Sequence, residues 1–356
     1  MLRPQSHTPV QFSAHQKPIL LVVVDTEEEF DWQQPFDRNS TATSSISAQP
    51  GLHERVYDGF GIVPTYMVDW PVATTPASAA ILRALMEQGR CEIGTHLHPW
   101  VTPPYEEQVT SFNSFAGNLP RELEFDKLRQ LTGAIGDAFG RRPTAFKAGR
   151  YGVGPHSADM LASLDYQIDA SVVPYTSFDG DGGPNFSAFA HDPYWFQAGG
   201  RALLELPVTG GYCGWLRRAG PPLYQLAQHR LAKAAQLGGI LARTRAVERI
   251  RLSPEGASAD DMKRLSRALI QGGTKVLTMT YHSPSLVAGH TPYVRSNAQL
   301  QAFISTIANY CAFFRDELGG VFMSLSALHQ QLDAQRADAV AAPLAGPHAQ
   351  RAAARL

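Results

Sequence analysis

The sequence has no excess of charge of either sign. Its 356 residues include 31 Lys and Arg against 32 Asp and Glu, which gives a formal net charge of −1. Proteins that hold nucleic acid or an anionic membrane surface present a basic excess. This balance therefore argues against nucleic acid or an anionic membrane as a partner.

Cysteine is scarce as well. Cys91, Cys213 and Cys311 are odd in number and far apart, so they do not form a disulfide framework. Because no Cys-x-x-Cys pair occurs, a thiolate zinc site is not expected. Cys91 and Cys311 lie in apolar stretches, where we expect them to be small buried side chains.

Long apolar runs are missing too. No run approaches the ~18 residues needed to cross a bilayer. The first nine residues are polar and interrupted by Pro, and they lack the apolar core of a signal peptide. We therefore expect a protein without a membrane span, located in the cytoplasm.

The sequence does contain a series of short apolar runs in a chain of globular composition, with 44% hydrophobic and 18% charged residues. The β-branched run from Ile19 to Val24 is typical of a strand buried on both faces. Similar runs predict further strands at Val63–Val68, Cys91–Thr95, Ala145–Ala148, Gln167–Val173, Leu203–Val208, Lys275–Tyr281 and Val321–Leu325.

Helical periodicity lies between most of these runs. It predicts helices at Ala77–Gln88, Phe125–Phe139, Ser258–Ile270 and Asn297–Phe314. Alternating strands and helices favour an α/β protein, and this many units favour a distorted (β/α) barrel with about seven parallel strands. An open doubly wound sheet is the alternative, but no Gly-x-Gly-x-x-Gly turn follows the first strand.

The chain is predicted to form a single domain over residues 18–336. Residues 1–17 are polar and contain Pro, which predicts a flexible N-terminal arm. The long basic stretch at 223–250 predicts a helical insertion on the barrel, and the Ala-rich end at 337–356 predicts a weakly ordered tail.

Acidic residues follow the first strand. Asp25 and Glu27 lie two apart, and strand alternation places them on one side of the chain. Barrel enzymes carry their catalytic groups at the carboxyl ends of strands. Two carboxylates there can share a metal, or divide into a ligand and a general base. The alternative is that the acids at 27–29 form a solvated turn.

A His-x-His pair follows the third strand. His96 and His98 project to the same side of extended chain, and imidazole suits zinc and similar metals. With a carboxylate from another strand, the pair makes a two-His, one-carboxylate set that leaves positions open for water and substrate. Two unrelated loop histidines are the alternative.

The fourth strand ends in a Gly-rich segment from Lys147 to Gly154. Its glycines permit close approach of the backbone to a ligand. Arg150 can orient a carboxylate or hold substrate, and a backbone N–H near Tyr151 can stabilise an oxyanion. A Gly-rich turn with a surface ion pair at Arg150 is an equal alternative.

A further histidine, His282, ends the run at 275–281. It is placed to act as a general acid that protonates a leaving amine. The alternative is a histidine that merely caps the strand. Ser283 and Ser285 lack the Gly-x-Ser-x-Gly elbow, which argues against acyl-enzyme chemistry.

Four motifs in order resemble the polysaccharide deacetylases, the NodB-homology superfamily also called carbohydrate esterase family four. They lie at Leu20–Asp25 with Glu27, at Glu92–His98, at Phe146–Gly152 and at Leu277–His282, within residues 18–330. The stretches Glu-Ile-Gly-Thr-His-Leu-His-Pro-Trp and Ala-Gly-Arg-Tyr-Gly are similar to a WalW-like branch found near lipopolysaccharide and exopolysaccharide genes.

The resemblance implies metal-assisted hydrolysis of an N-acetyl group on a sugar by a NodB-type barrel. It implies Asp25 as the catalytic base, His96 as the first metal histidine and His282 as the general acid. Lys147 or Arg150 stands near the family's motif arginine, and Tyr151 near its oxyanion donor.

Three positions depart from the family pattern. Thr26 stands where a second aspartate is usual, so Glu27 must supply the metal carboxylate. The usual second histidine would fall on Trp100, so His98 must replace it. The usual Arg-x-Pro-Tyr is altered to Lys-Ala-Gly-Arg-Tyr.

These inferences combine into one hypothesis. Glu27, His96 and His98 hold a divalent metal, zinc in the first place, with Co²⁺, Ni²⁺ or Mn²⁺ as alternatives. An N-acetylated carbohydrate is the partner, and Trp32, Trp100 and Tyr105 are expected to offer flat faces for its rings, with loop packing as the alternative for each.

Two rival functions belong to other classes. A barrel that binds carbohydrate but has lost the metal would fit the departures at Thr26 and Trp100. A metal-dependent sugar-nucleotide transferase would fit Asp25-Thr26-Glu27 as an imitation of an Asp-x-Asp motif. The transferase leaves His96, His98 and His282 without a role.

Overall fold

The computed structural model of the chain describes residues 1–220 and 246–341. Its strands are β1 Thr8–Pro9, β2 Ile19–Thr26, β3 Thr65–Val68, β4 Glu92–Leu97, β5 Ala145–Ala148, β6 Ile168–Asp169, β7 Tyr194–Ala198, β8 Arg201–Glu205, β9 Gly210–Cys213, β10 Glu248–Arg251, β11 Val276–His282 and β12 Val321–Phe322. Its α-helices are α1 Gln49–Leu52, α2 Asp58–Phe60, α3 Trp70–Thr74, α4 Pro76–Glu87, α5 Arg121–Phe139, α6 Ser157–Ser163, α7 Ala259–Gln271, α8 Asn297–Asp316 and α9 Leu325–Ala341.

The main sheet follows the order β1-β7-β8-β6-β5-β4-β3-β2-β11, with β12 also paired to β2. From β8 to β11 all neighbouring strands are parallel, whereas β1 and β7 add an antiparallel edge. Seven parallel strands in this path, with helices between them, make the distorted (β/α) barrel expected from the sequence.

The two faces of β2 explain why its sequence is apolar throughout. Every residue of β2 is buried. Leu21 and Val23 lie in an inner cluster with Met67 and Leu204, which are contributed by other strands of the sheet. The alternate residues of β2 belong to a larger outer cluster that packs against the helices. A strand covered on both sides cannot alternate with polar residues, so periodicity by itself does not distinguish its faces.

Backbone bonds after β8 bring the two ends of the parallel sheet together. The Thr209 N–H donates to the Thr278 carbonyl at 3.2 Å, and the Thr278 N–H donates to Thr209 Oγ1 at 2.7 Å. Leu252 connects Thr209 to strand β11, because its N–H donates to the Thr209 carbonyl and its carbonyl accepts from the Thr280 N–H. The barrel is therefore closed here by individual hydrogen bonds on an irregular segment.

All eight apolar runs contain a strand, and each of the four predicted helices is present within a few residues. The run Gln167–Val173 is the least regular, since only Ile168–Asp169 forms ladder pairs. The helix ends follow local signals: Ser258 and Asp261 form a capping box at the start of α7, and α5 ends at Gly140 with a left-handed φ of 71°. Cys91, Cys213 and Cys311 are free and buried.

The N-terminal arm differs from the expectation of a flexible segment. Its strand β1 pairs with β7, and His7 stacks on Tyr194 with ring centroids 3.9 Å apart. Lys275 donates to the carbonyls of Ala14 and Gln16. Val10 and Phe12 of the arm also pack against the inner apolar cluster. The polar composition of the arm gave no indication of these contacts.

The predicted insertion and tail are described only at their edges. Residues 221–245, most of the predicted insertion, lie outside the described part, but its end forms strand β10 rather than helix. The predicted tail begins inside α9, and residues 342–356 also lie outside the described part. Within residues 1–220 and 246–341, no helix combines the length and apolarity needed to cross a membrane.

A buried lysine fastens the loop that follows β4. The ammonium of Lys127, on α5, donates to the carbonyls of Pro99, Thr102 and Pro104 at 2.6–3.0 Å. It also forms an ion pair with Glu107 at 3.0 Å. A buried ammonium loses its hydration and must replace it with protein acceptors. These contacts of Lys127 therefore hold the loop after β4 in place.

We expect Lys127→Met to destabilise the fold by about 3–5 kcal/mol, because it leaves three carbonyls without their donor and the buried Glu107 carboxylate with Arg38 as its remaining ion-pair partner. Urea unfolding of the purified protein measures the effect. The matched control is Arg129→Met on the same helix, which removes an exposed ion pair with Asp126 and should cost less than about 1 kcal/mol. Equal losses for the two variants would contradict the anchoring role.

Candidate functional site

A pocket of about 350 Å³ opens at the carboxyl ends of the barrel strands. Asp25 lines it from β2, His96 from β4 and His282 from β11, with His98 in the loop after β4. Parallel strands end at the same edge of a sheet, so residues far apart in the chain meet here.

Three side chains in this pocket form a set of possible metal ligands. The ligand atoms of Glu27, His96 and His98 all lie within 4.8 Å of one another, and all three residues are buried. Glu27 Oε2 is 3.4 Å from Nε2 of His96 and 3.5 Å from Nε2 of His98. Both imidazoles therefore present the same ring nitrogen to one carboxylate.

The second nitrogen of each ring is already bonded. His96 Nδ1 lies 3.0 Å from the Lys147 carbonyl, which can only accept, so Nδ1 carries the proton. His98 Nδ1 lies 2.8 Å from Oε2 of Glu28. These bonds leave the Nε2 lone pairs aimed at Glu27, as a metal ligand requires.

Burial sets the protonation of this group. It lowers the pKa of His96 and lowers that of His98 to about 4, so both rings are neutral near pH 7, the form that binds metal. Burial also raises the pKa of Glu27 to about 7. Glu27 Oε1 is buried without a hydrogen-bond partner. A cation at this point would satisfy that oxygen, so the residues present fit a divalent metal.

A second layer of bonds holds His98 in place. Glu28 accepts from His98 through one oxygen and from the Trp100 indole N–H through the other, both at 2.8 Å. Asp69 accepts from the Glu28 backbone N–H and also caps α3 through Val72 N–H. Glu28, Asp69 and His98 also lie close enough to form a ligand group. Their mutual bonds instead make Glu28 and Asp69 supports of the first set.

Gly149 gives the Gly-rich motif a structural reason. A Cβ atom added there would lie 2.2 Å from His98 Cδ2 and 2.6 Å from the Leu97 carbonyl. Only glycine leaves room for the imidazole. The next two residues, Arg150 and Tyr151, have left-handed φ angles of 52° and 60°, which turn the chain sharply into the pocket wall.

Asp25 is buried beside the metal set and is paired with Lys147. Lys147 Nζ lies 2.5 and 2.6 Å from the two carboxylate oxygens and donates also to Thr280. Burial raises the pKa of Asp25, but the charges of Lys147, His96 and His282 outweigh it, so the pKa lies below its ordinary value. Asp25 is therefore ionised at neutral pH.

His282 lies beside Asp25, at the end of the neighbouring strand β11. Its Nε2 lies 3.7 Å from Asp25 Oδ2, and its Nδ1 lies 2.7 Å from Glu255 Oε2. Burial lowers the pKa of His282, yet the negative charges around it, Glu255 first, raise it well above its ordinary value. The imidazole therefore holds a proton at neutral pH, as a general acid must.

The predicted Arg150 and Tyr151 line the pocket without touching Asp25. Of the two residues near the family's motif arginine, Lys147 is the one that pairs with Asp25. Arg150 instead donates to Ser111 and Ser114 and lies over the Phe115 ring. The predicted backbone donor at Tyr151 stays a prediction.

The three aromatic residues predicted to hold sugar have different positions. Trp32 lines the pocket and meets the His282 ring edge-on at 5.0 Å. Trp100 is only 1% exposed and stacks on His98, so it supports a ligand and offers no free face. Tyr105 lies outside the pocket lining, under the cations of Arg38 and Lys127. The sugar-binding roles of the three rings stay predictions. Burial and packing, which residue type does not reveal, place each ring differently.

Sequence reasoning missed several residues of the site. From the sequence, Glu28 belongs only to the alternative of a solvated turn at 27–29, whereas Glu27 is a candidate metal ligand. Asp69 follows the second strand and precedes Trp-Pro, a helix-start signal at a strand end that pointed to it. Glu255 and Arg251, at the end of the insertion, had no comparable local signal.

Comparisons with known proteins establish the fold. No protein-family model matches the chain, and no curated protein matches its sequence. Among solved structures, a protein assigned as a polysaccharide deacetylase from Mycobacterium smegmatis has a TM-score of 0.54 at 16% identity, over 92% of this chain and 94% of that one. PuuE allantoinase has a TM-score of 0.55 at 13% identity, over 94% of this chain and 96% of that one. The chain thus has the NodB-type distorted barrel fold that such deacetylase and allantoinase structures share.

Proposed function

We propose that the chain is a metal-dependent hydrolase that removes an N-acetyl group from a sugar or a polysaccharide precursor. One observation carries the proposal: the set Glu27, His96 and His98 lies in the same pocket as an ionised carboxylate, Asp25, and a protonated histidine, His282. The motif resemblance to the deacetylases supports the choice of an N-acetyl group.

The metal would be held by Glu27, His96 and His98, with zinc favoured by two imidazoles and a carboxylate. When bound, such an ion polarises a carbonyl and lowers the pKa of a water molecule. The chain contributes neutral, oriented imidazoles and a buried carboxylate, Glu27, whose Oε1 has no hydrogen-bond partner among the described residues.

Asp25 would take the proton from the attacking water. Its carboxylate stays ionised because Lys147 neutralises it, and Lys147 also fixes the orientation of both oxygens. The same pairing makes Asp25 a weaker base than a free carboxylate, so its contribution depends on its position beside the metal set.

His282 would give a proton to the departing amine. Glu255 holds the ring through Nδ1 and leaves Nε2 directed toward Asp25. A nitrogen that must leave as an amine requires this proton, because an amide anion is a very poor leaving group. The base and the acid are thus 3.7 Å apart, on two adjacent strands.

Carbohydrate is the substrate class that the motifs imply. Trp32 and Tyr293 form an aromatic rim on the pocket and meet at 5.7 Å. A second cavity of about 530 Å³ shares Phe30, Asp31 and Trp32 with the first, which gives room for a group beyond one sugar ring. The WalW-like motifs suggest a cytoplasmic precursor of lipopolysaccharide or exopolysaccharide.

The rival functions account for fewer of these contacts. A barrel that had lost its metal would have no use for two neutral imidazoles aimed at one unpaired carboxylate. A sugar-nucleotide transferase leaves the pair of His282 and Glu255 without a role. Binding of a nucleotide sugar with Mn²⁺ in preference to N-acetyl sugars would favour the transferase.

Metal content tests the ligand set. We expect the purified chain to bind one divalent ion, and His96→Ala or His98→Ala to abolish this binding. Glu28→Gln, which disturbs only the support of His98, should weaken the metal affinity about 10–100-fold. Competition with a chelator measures the affinities.

The matched control for Glu28→Gln is Glu29→Gln. Glu29 bonds to Ser44 and Ser45 and pairs with His290, away from the ligands, so its variant should keep the affinity of the parent. Full metal content in both histidine variants would show that the site is wrong.

Hydrolysis tests the reaction. We expect release of acetate from N-acetylated sugars or oligosaccharides by the metal-loaded protein. Asp25→Asn should lower kcat by about 10²–10⁴-fold without loss of metal, since it removes the proton acceptor and leaves the three proposed ligands in place. Activity that survives in this variant would exclude Asp25 as the base, and absence of acetate from every sugar would exclude the reaction.

The pH profile tests the acid. A raised pKa keeps His282 protonated at pH values where a free imidazole is neutral, so activity should fall only as pH rises through that raised pKa. Glu255→Gln removes the charge that does most to raise it, and the alkaline limb of kcat/KM should move down by about 1–3 pH units. Glu248→Gln, which removes a nearby carboxylate paired with Arg264, is the control and should not move the limb.

A further inference from the structure

One cation in the pocket wall has no anion. Arg251 lines the pocket and is half-buried, with its guanidinium 5.9 Å from the centre of the Tyr151 ring. Across the described residues, its side chain makes no hydrogen bond and no ion pair with a carboxylate. A guanidinium held in a wall beside aromatic rings, with all its donors free, is suited to a ligand.

The acids that could neutralise Arg251 are engaged elsewhere. Glu255 accepts from the backbone and ring of His282 and from Ser285. Asp181 is exposed and lies 3.7 Å from Arg150. A further acid in the lining, Asp31, accepts from the Gln33 N–H. Among the described residues, no carboxylate of the pocket therefore forms an ion pair with Arg251.

Arg150, in the same pocket wall, differs from Arg251 because its guanidinium has protein partners. Its Nη1 donates to the Ser111 carbonyl and to Ser114 Oγ, and it covers the Phe115 ring at 4.0 Å. Those contacts fix Arg150 as part of the wall. Arg251 has only its aromatic contact.

Arg251 is the last residue of strand β10, directly after the predicted insertion. Strand β10 pairs antiparallel with β9, and Arg251 stands opposite Gly210 at the end of this two-stranded ribbon. Leu252 then bonds to Thr209 and Thr280, which fixes the ribbon against the barrel beside β11. The guanidinium is thus held next to the strand that ends in His282.

We propose that Arg251 binds an anionic group of the substrate, a carboxylate or a phosphate close to the acetamido group. The inference rests on the proposed deacetylase function and narrows its substrate to acidic N-acetyl sugars or their phosphates. Arg251 selects the substrate and takes no part in proton transfer, because His282 and Asp25 fill those roles.

Binding decides this inference independently of turnover. The probes are N-acetylglucosamine, N-acetylmuramic acid with its carboxylate, and N-acetylglucosamine 1-phosphate, titrated calorimetrically into the metal-loaded full chain. We expect one charged sugar to bind about 10–100-fold more tightly than the neutral one, as a charge-assisted pair provides. Whichever sugar it is identifies the anion.

Variants assign that preference to the side chain. Arg251→Gln should reduce the ratio of charged to neutral affinity to about one, and Arg251→Lys should restore part of it. Arg267→Gln, which removes an exposed guanidinium paired with Glu317, is the control for overall charge and should keep the ratio of the parent.

The outcomes separate the two proposals. Equal or absent binding of all three sugars, or a preference that survives Arg251→Gln, overturns the role of Arg251. Acetate release from the same sugars decides the reaction. If the preference for the charged sugar is lost in Arg251→Gln and no acetate is released, the anion site is supported and deacetylation is refuted. If acetate is released but no charged sugar is preferred, deacetylation is supported and the anion site is refuted.

Discussion

The burial of negative charge at the carboxyl end of the barrel constrains the whole site. A carboxylate without water needs a cation or several donors, since its solvation is lost on burial. Asp25 has the ammonium of Lys147, and Glu28 has the donors of His98 and Trp100. Glu27 has an oxygen with no partner. These three neighbouring acids therefore differ in their partners, and this difference supports the proposal of three roles for them: base, support and metal ligand.

The same constraint explains the loops around the site. The segment after β4 must hold His98 against Gly149, and Lys127 fastens it from the neighbouring helix. The segment after β5 turns sharply through two left-handed residues, Arg150 and Tyr151, to reach the pocket wall. Strands fix where the chemical groups start, and these buried contacts fix where they point.

The residues that line the pocket come from two separate parts of the fold. The residues proposed for proton transfer and metal binding lie on strands of the barrel or directly after them. Arg251 ends strand β10 and Glu255 lies in the turn that follows; Glu255 bonds to His282, and Arg251 lines the pocket. A change in this ribbon can alter the pH range or the substrate without moving the metal ligands.

Sequence alone determined the elements and several residues that line the pocket. Apolar runs and helical periodicity are local signals, and they located the parallel strands, the main helices, and the residues Asp25, Glu27, His96 and His282 at strand ends. The short antiparallel strands β1, β7, β9 and β10 carried no such signal, because edges and ribbons depend on what they pair with.

Only the tertiary structure decided the partners. His98 meets Glu28 across 70 positions of the chain, and Lys147 meets Asp25 across 122. Lys147 rather than Arg150 pairs with Asp25, and the Trp100 indole donates to Glu28. Residue type states which bonds a side chain can make, whereas burial and distance, which arise only when the barrel closes, select the bonds that it does make.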